Sequence, residues 1–160
     1  MQIVVMGVSG SGKSTLGQML ADALGVPFLE GDDLHPAANR AKMASGTPLV
    51  DADRAPWLAA IAEWMRAHAD GVVACSALKH AYRDRLRRGA RDARFVLLAP
   101  PPAVLAARLA YRHGHFMPPS LLDSQLATLE PPTADEHALV IRADEPAGES
   151  LARVRTWLAA

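Results

Sequence analysis

The chain has little cysteine, few aromatic residues and no excess of charge of either sign. Its 160 residues include one cysteine, Cys75, and 5% aromatic residues, and its 17 basic residues balance 17 acidic ones. A single cysteine excludes an internal disulfide. The balanced charge argues against a nucleic-acid-binding protein with a broad basic surface, but it leaves room for a local basic pocket around a small anion.

Long apolar segments are also missing. No apolar run approaches the roughly 20 residues needed to span a bilayer, and Met1 leads directly into Gln-Ile-Val-Val-Met without the pattern of a signal peptide. We therefore expect a cytoplasmic protein that has neither a membrane nor a nucleic acid as partner. Cys75 ends the apolar stretch 71–75, which favours a buried structural thiol over a nucleophile.

What the sequence does contain is an alternation of short apolar runs with longer segments of helical periodicity. The strand-sized runs lie at 3–6, 72–75, 95–98 and 139–141, with a weaker one at 27–29. The helical segments are 13–24, about 55–68, 79–88, 103–112 and 148–158. Because parallel strands need crossover connections, this order predicts an α/β fold with a parallel five-stranded sheet and helices on both faces. The length favours a single domain over 1–160.

A phosphate-binding loop follows the first apolar run. Residues 7–14 read Gly-Val-Ser-Gly-Ser-Gly-Lys-Ser, which satisfies G-x-x-x-x-G-K-S between a predicted strand and a predicted helix. Its glycines let successive N–H groups curl around phosphate oxygens. Lys13 would neutralise phosphate charge, and the Ser14 hydroxyl would bind the Mg²⁺ that arrives with ATP. The predicted nucleotide-binding residues of this loop are Gly7, Val8, Ser9, Gly10, Ser11, Gly12, Lys13, Ser14 and Thr15.

A P-loop NTPase fold does not by itself separate a kinase from a GTPase, a motor ATPase or a nucleotide-dependent switch. Carboxylates after the second predicted strand favour a kinase: Glu30, Asp32 and Asp33, on a strand that we expect beside the P-loop strand. A kinase needs such a group to accept or orient the proton of the acceptor hydroxyl, and we assign that role to Asp32. Asp33 has a competing interpretation as a helix cap.

Nearly the whole chain resembles the gluconokinase family, small P-loop kinases similar in fold to shikimate kinase. Besides 7–14, the matching blocks include Gly-Asp-Asp-Leu-His-Pro-Ala-Ala-Asn at 31–39, 42–49, 51–58, 75–79, 82–84, 115–117, 124–125 and 129–132. The resemblance implies ATP-dependent phosphorylation of D-gluconate at the 6-hydroxyl, giving 6-phospho-D-gluconate and ADP, and a homodimer. The sequence departs from the family in two places. The segment 99–102 is rich in proline, and Leu126 occupies a position where an aromatic residue is common in the family. The rival acceptors are another polyol acid and a shikimate-like compound.

Gluconate is a carboxylate with a row of hydroxyls, so its site needs cations at one end and hydrogen-bonding groups along its length. We expect the segment of about 31–57 to bind it. Lys79 has two open roles, with the gluconate carboxylate or with the transferred phosphoryl group. The predicted substrate-binding residues are Asp32, His35, Asn39, Arg54, Lys79, Arg83, His115 and Gln125, of which the non-cationic ones have alternatives as cap, turn or surface residues.

The segment of about 108–133 resembles a mobile kinase lid. Arg108 and Arg112 are four positions apart on one helical face, and Gly114 follows. We predict that Arg112 is catalytic, offsetting charge on the transferred oxygens, and that Arg108 binds the nucleotide. The alternative is a pair of solvated arginines. Residues 142–146, after the last predicted strand, either border the adenine or only connect two elements.

Overall fold

The computed structural model describes residues 1–111 and 119–160. In these two ranges, five parallel strands form one sheet in the order β2-β3-β1-β4-β5. They are β1 (Gln2–Met6), β2 (Phe28–Glu30), β3 (Gly71–Ala74), β4 (Arg94–Leu98) and β5 (Ala138–Ile141). The predicted α/β fold with a parallel five-stranded sheet is confirmed.

The helices connect successive strands and cover the sheet. They are α1 (Lys13–Leu24), α2 (Ala37–Ala44), α3 (Asp51–Ala67), α4 (His80–Arg87), α5 (Pro102–Tyr111), α6 (Pro119–Thr128) and α7 (Ala147–Ala159), with short 3-10 helices at Gly31–Leu34 and Ala134–Glu136. Five of them agree with the predicted segments within a few residues. The prediction missed α2 and α6, because both lie in segments interpreted as loops. In α2 the one buried residue is the polar Asn39, so the helix carries no apolar stripe to detect.

The strand order corrects one expectation about the acidic segment. We expected the strand that carries it, β2, beside the P-loop strand β1, but β3 lies between them and pairs with both: Val73 is opposite Val4 and also opposite Leu29. The connection from β1 through α1 therefore skips one position in the sheet. Because all three strands are parallel, their carboxyl ends still meet at the same edge, where open sheets of this kind bind ligands.

Two apolar layers hold the helices against the sheet. On one face Val4 and Met6 of β1 pack with Trp57 and Ile61 of α3. On the other face Ile3 and Val5 pack in a cluster that also contains residues of α1 and α7, among them Leu16, Leu20 and Val154. Because β1 is buried on both faces, its sequence is continuously apolar rather than alternating.

Cys75 follows β3 and belongs to the first of these layers, where it is completely buried. Burial raises the pKa of its thiol to about 12, so the reactive thiolate is scarce at neutral pH. The burial agrees with the structural role predicted for this cysteine. Within the described ranges, every helix is too short or too polar to cross a bilayer.

Candidate active site

The P-loop turns sharply between β1 and α1. Gly10 and Gly12 have φ angles of 80° and 94°, in the left-handed region that favours glycine. A Cβ on Gly7 would lie 2.7 Å from the Leu98 carbonyl oxygen and 2.7 Å from Ser11 Oγ, so a side chain is excluded there as well. The loop therefore needs its glycines for conformation and for space.

The same loop has unsatisfied donors that suit an anion. Gly12 caps α1 without a side-chain hydrogen bond, which leaves the first-turn N–H groups of α1 without a capping side chain. Ser11 Oγ is buried and has no hydrogen-bond partner among the described residues. The Lys13 side chain folds back over the loop, with Nζ 3.5 Å from the Val8 carbonyl oxygen. These donors fit the phosphate groups of a nucleotide.

A large cavity of about 690 Å³ opens on one side of the P-loop. Gly12 and Thr15 line it together with Arg108 of α5 and with Ala143, Asp144 and Glu145, which follow β5. The segment after β5, whose role the sequence left open, therefore borders the large cavity. Its place could not be predicted from composition, because it depends on β5 lying at the sheet edge beside β4.

Arg108 of α5 forms hydrogen bonds with two other segments at this cavity. Its Nη1 donates to the Gly10 carbonyl oxygen at 3.1 Å, and its Nη2 lies 3.0 Å from Asp144 Oδ1. One guanidinium thus connects α5, the P-loop and the segment after β5. Arg108 thus lines the large cavity beside the P-loop, and its nucleotide-binding role stays a prediction.

Arg108→Ala is expected to raise the KM for ATP by about 10-fold, the effect of losing one or two hydrogen bonds of a charged group, with the KM for the acceptor unchanged. Initial rates with each substrate varied in turn would measure both constants. Arg155→Ala, at an exposed arginine of α7, removes the same charge elsewhere and is the control. An ATP KM equal to that of the control would rule out the role.

A second, smaller cavity of about 60 Å³ lies next to Lys13, which does not line the large one. Six of the predicted residues line it: Ser9, Lys13, Asp32, His35, Arg54 and Gln125. They come from the P-loop, α1, the 3-10 helix Gly31–Leu34 and its end, α3 and α6. Gln125 also reaches the P-loop, where its Oε1 accepts a 2.7 Å hydrogen bond from the Ser9 N–H. The cavity therefore joins the acidic segment to the phosphate-binding loop.

His35 and Arg54 are held firmly in this second cavity. His35 is 7% exposed and its ring stacks on Trp57 with centroids 4.0 Å apart. Burial lowers the pKa of His35, and Arg54 and Arg40 lower it further against the opposing effect of Asp32. Arg54 donates through Nη1 to the Leu49 carbonyl oxygen at 2.7 Å and to the Tyr82 hydroxyl at 3.2 Å.

Comparison with known proteins decides the family. A family model described as an AAA domain matches residues 3–132. The gluconokinase of Gluconobacter oxydans (strain 621H) is 51% identical over 147 residues, which cover 89% of this chain and 83% of that protein. The chain belongs to the gluconokinase family.

Solved structures agree with this membership along the full length. A gluconokinase from Sinorhizobium meliloti is 50% identical with a TM-score of 0.91, and the match covers 99% of this chain and 91% of that one. A sugar kinase from a Janibacter species is 47% identical with a TM-score of 0.94, covering 99% and 94%. The predicted P-loop kinase is confirmed, and membership of this kinase family implies the use of ATP.

Arg83 was predicted as one of the cations that bind the gluconate carboxylate, and the structure corrects that prediction. Arg83 is completely buried. Its Nε and Nη2 donate to the Glu136 carboxylate at 2.7 and 3.0 Å, and its Nη1 donates to the carbonyl oxygens of Ala77 and Leu78 at 3.0 and 3.3 Å. A guanidinium enclosed in this way has no face left for gluconate. Arg83 instead supports the turn at Ala77, whose φ of 43° is unusual for a residue with a side chain.

Asn39 also has a different role from the one predicted. It is 3% exposed, and its Nδ2 lies 2.9 Å from the Asp53 carbonyl oxygen and 3.1 Å from His35 Nδ1. Both hydrogens of the amide are thereby directed at protein atoms. Asn39 therefore supports His35 rather than lining the cavity. The sequence offers no signal for this, because the contact depends on α2, which periodicity did not reveal.

Lys79 lies outside the lining of the second cavity. Its Nζ is 3.1 Å from Asp51 Oδ1, and the same oxygen accepts a hydrogen bond from the Tyr82 hydroxyl. Since Tyr82 also accepts from Arg54, these polar groups form one network beside the cavity. Asp51 and Tyr82 occur in the motif blocks, but the sequence assigned no role to either, because their contacts with Lys79 and Arg54 join segments 28 positions apart.

Arg112 and His115 lie outside the described residues, so the catalytic role of Arg112 and the substrate contact of His115 stay predictions. Ser14 stands in the first turn of α1 beside Lys13, where the P-loop motif expects its hydroxyl. In residues 1–111 and 119–160, histidine, cysteine and carboxylate side chains form no group of three that could hold a metal ion. A magnesium site there would depend on Ser14 and on the phosphates of the nucleotide.

Proposed function

We propose that this protein transfers the γ-phosphoryl group of ATP to the 6-hydroxyl of D-gluconate, giving 6-phospho-D-gluconate and ADP. One observation carries the proposal beyond family membership: the P-loop borders both cavities. Gly12 and Thr15 line the large cavity, whereas Ser9 and Lys13 line the small one with Asp32 and Arg54. A phosphoryl group held by the loop is thus within reach of an acceptor in the second cavity.

The residues of the second cavity have complementary roles in this reaction. Asp32 accepts the proton of the attacking hydroxyl, and Lys13 offsets the charge that spreads over the transferred oxygens. Arg54, whose guanidinium is oriented by Leu49 and Tyr82, is the cation for the gluconate carboxylate. Gln125 contacts the hydroxyl chain of the acceptor, whereas the two ring nitrogens of His35 face Asn39 and Asp32. When Mg²⁺ is bound with ATP, Ser14 would ligate it, and the ion would neutralise phosphate charge.

ADP release by the purified protein with magnesium and ATP tests the proposal. Gluconate, glucose, shikimate and a no-acceptor control are compared at equal concentrations, and the phosphorylated product is identified by ³¹P NMR. Stimulation by gluconate alone is the expected result. ATP binding without stimulation by any acceptor would refute the proposal and favour a nucleotide-dependent switch.

The homodimer, the cytoplasmic location and the mobile lid of residues 108–133 stay predictions.

A further inference from the structure

His35 has a proton arrangement that can be deduced from its neighbours. The Asp53 carbonyl oxygen can only accept a hydrogen bond, so the Asn39 atom that faces it at 2.9 Å must be the amide nitrogen Nδ2. The same nitrogen faces His35 Nδ1 at 3.1 Å and donates its second hydrogen there. Nδ1 therefore accepts, and in the neutral ring the proton resides on Nε2.

Trp57 fixes the position of this ring and of the turn before it. Its indole ring stacks on His35 at an interplanar angle of 15°, while its Nε1 donates to the Gly31 carbonyl oxygen at 2.8 Å. The backbone N–H of His35 in turn donates to the Asp32 carbonyl oxygen at 3.2 Å. Asp32 is thereby held between two anchored residues, Gly31 and His35.

The remaining ring nitrogen points toward the proposed base. His35 Nε2 lies 3.8 Å from Asp32 Oδ1, and the Asp32 side chain is 59% exposed. An exposed carboxylate is free to rotate, and a small rotation would bring its oxygen to the 2.7–3.2 Å of an ordinary hydrogen bond. The His35 side chain is 3% exposed and held by Asn39 and Trp57, so Asp32 is the partner that moves.

We propose that His35 is a positioning residue for Asp32: its neutral ring, with the proton kept on Nε2 by Asn39, donates to the Asp32 carboxylate and orients it toward the acceptor hydroxyl. The inference rests on the proposed function, because it assumes that Asp32 is the base. A neutral donor orients the carboxylate without giving it a proton. The exposed Asp32 side chain otherwise has rotamers that would not face the acceptor.

The charged surroundings of His35 favour the neutral ring. Arg40 on α2 and Arg54 on α3 oppose a further positive charge, Lys13 on α1 lines the same cavity, and Asp32 acts in the opposite direction. Together with burial, these groups lower the pKa of His35. Protonation would also place a hydrogen on Nδ1 against the Asn39 amide. We therefore expect His35 to be neutral at pH 7.

The first test needs no variant and no activity. A ¹H–¹⁵N spectrum of the histidine rings in the wild-type protein should show one ring that stays in the Nε2–H tautomer down to a pH below 6.5, the ordinary histidine pKa. The signal missing from His35→Gln assigns it to His35. An Nδ1–H tautomer, or a ring protonated at pH 7, would overturn the inference whatever the acceptor proves to be.

The second test compares two variants in steady-state kinetics. His35→Phe keeps an aromatic ring to stack on Trp57 but has no donor, and we expect kcat to fall by about 10- to 100-fold with the gluconate KM nearly unchanged. His35→Gln places an N–H near the position of Nε2 and should recover most of the lost rate. A rise in KM alone would indicate a direct substrate contact and would contradict the positioning role, as would wild-type kcat in His35→Phe.

The pH profile separates positioning from a purely structural role. Asn39→Asp puts a carboxylate acceptor opposite Nδ1, so the neutral ring carries its proton on Nδ1 and loses the Nε2 donor toward Asp32. Only the charged ring, with hydrogens on both nitrogens, still donates from Nε2, so the kcat of this variant should fall on the alkaline side of the His35 pKa, which the carboxylate raises. The double variant Asn39→Asp/His35→Gln should not show this alkaline fall, because glutamine does not titrate. A kcat profile of folded Asn39→Asp that keeps the wild-type shape refutes the inference, whereas a wild-type enzyme inactive with gluconate would refute the proposed function.

Discussion

Asp32→Asn is expected to lower kcat by about 10²- to 10⁴-fold while the affinity for ATP stays nearly unchanged, because the amide keeps the size of the side chain but cannot accept a proton from the acceptor hydroxyl. Asp32 lines the second cavity and is absent from the lining of the large cavity beside the P-loop. Its side chain is 59% exposed, so the substitution should hardly change the free energy of unfolding. Single-turnover rates with ATP and gluconate would measure the loss, and nucleotide titration would measure the affinity.

Asp33→Asn is the matched control for this variant. Asp33 is the next residue along the same 3-10 helix and is exposed, but it does not line the second cavity. The change in net charge is the same in both variants. A loss of rate in both would indicate a general electrostatic effect of the acidic segment. Full turnover in Asp32→Asn would leave the reaction without its proposed base.

The parts of the fold and site that could be predicted were those with a local signal. Strands such as β1 are continuously apolar because they are buried on both faces, and the P-loop needs its glycines for backbone angles that few other residues adopt. The place of Asp32 in the second cavity could be predicted, because the chain puts this carboxylate after a strand, at the edge where parallel sheets bind ligands. Each of these features is visible in a few consecutive residues.

The parts that could not be predicted depend on contacts between distant segments. Arg83 looks like a substrate cation in the sequence, and only the fold brings Glu136, 53 positions away, against it. Asn39 resembles a hydroxyl partner until α2 turns it toward His35 and Asp53. In both cases a polar side chain near the site is used inside the protein, and residue type alone does not distinguish this use from ligand binding.

Breaking the Arg83–Glu136 pair should have the largest effect on stability. Both side chains are almost completely buried, at 0% and 1% exposure. Arg83→Met removes the guanidinium, leaves the Glu136 carboxylate without its main partner and is expected to lower the free energy of unfolding by about 3–5 kcal/mol. Urea denaturation at pH 7 would measure it. Glu63→Gln, which breaks an exposed pair with Arg66, is the control and should change stability by less than about 1 kcal/mol.

The pH dependence of stability tests the same pair independently. Burial alone would raise the pKa of Glu136, but hydrogen bonds from Arg83 and from the Thr133 N–H lower it from 4.5 to about 2. The unfolded chain therefore takes up this proton at a higher pH than the folded one. The stability that the ionised carboxylate contributes is present above pH 4.5 and is lost as the pH falls toward 2, by about 3 kcal/mol in total.

In Arg83→Met the carboxylate keeps its contacts with Arg87, His80 and the Thr133 N–H but loses its strongest hydrogen bonds, so the pKa of Glu136 rises from its wild-type value and less stability is lost as the pH falls. The difference in stability between wild type and Arg83→Met should therefore narrow steadily as the pH falls from 7 toward 3. Urea titrations of both proteins at several pH values would follow it, and Glu136→Gln, which carries no charge at any pH, should be less sensitive to pH than wild type between 4.5 and 2. A constant difference across this range would mean that Arg83 stabilises the turn at Ala77 through its carbonyl contacts alone and that the charge of Glu136 contributes nothing.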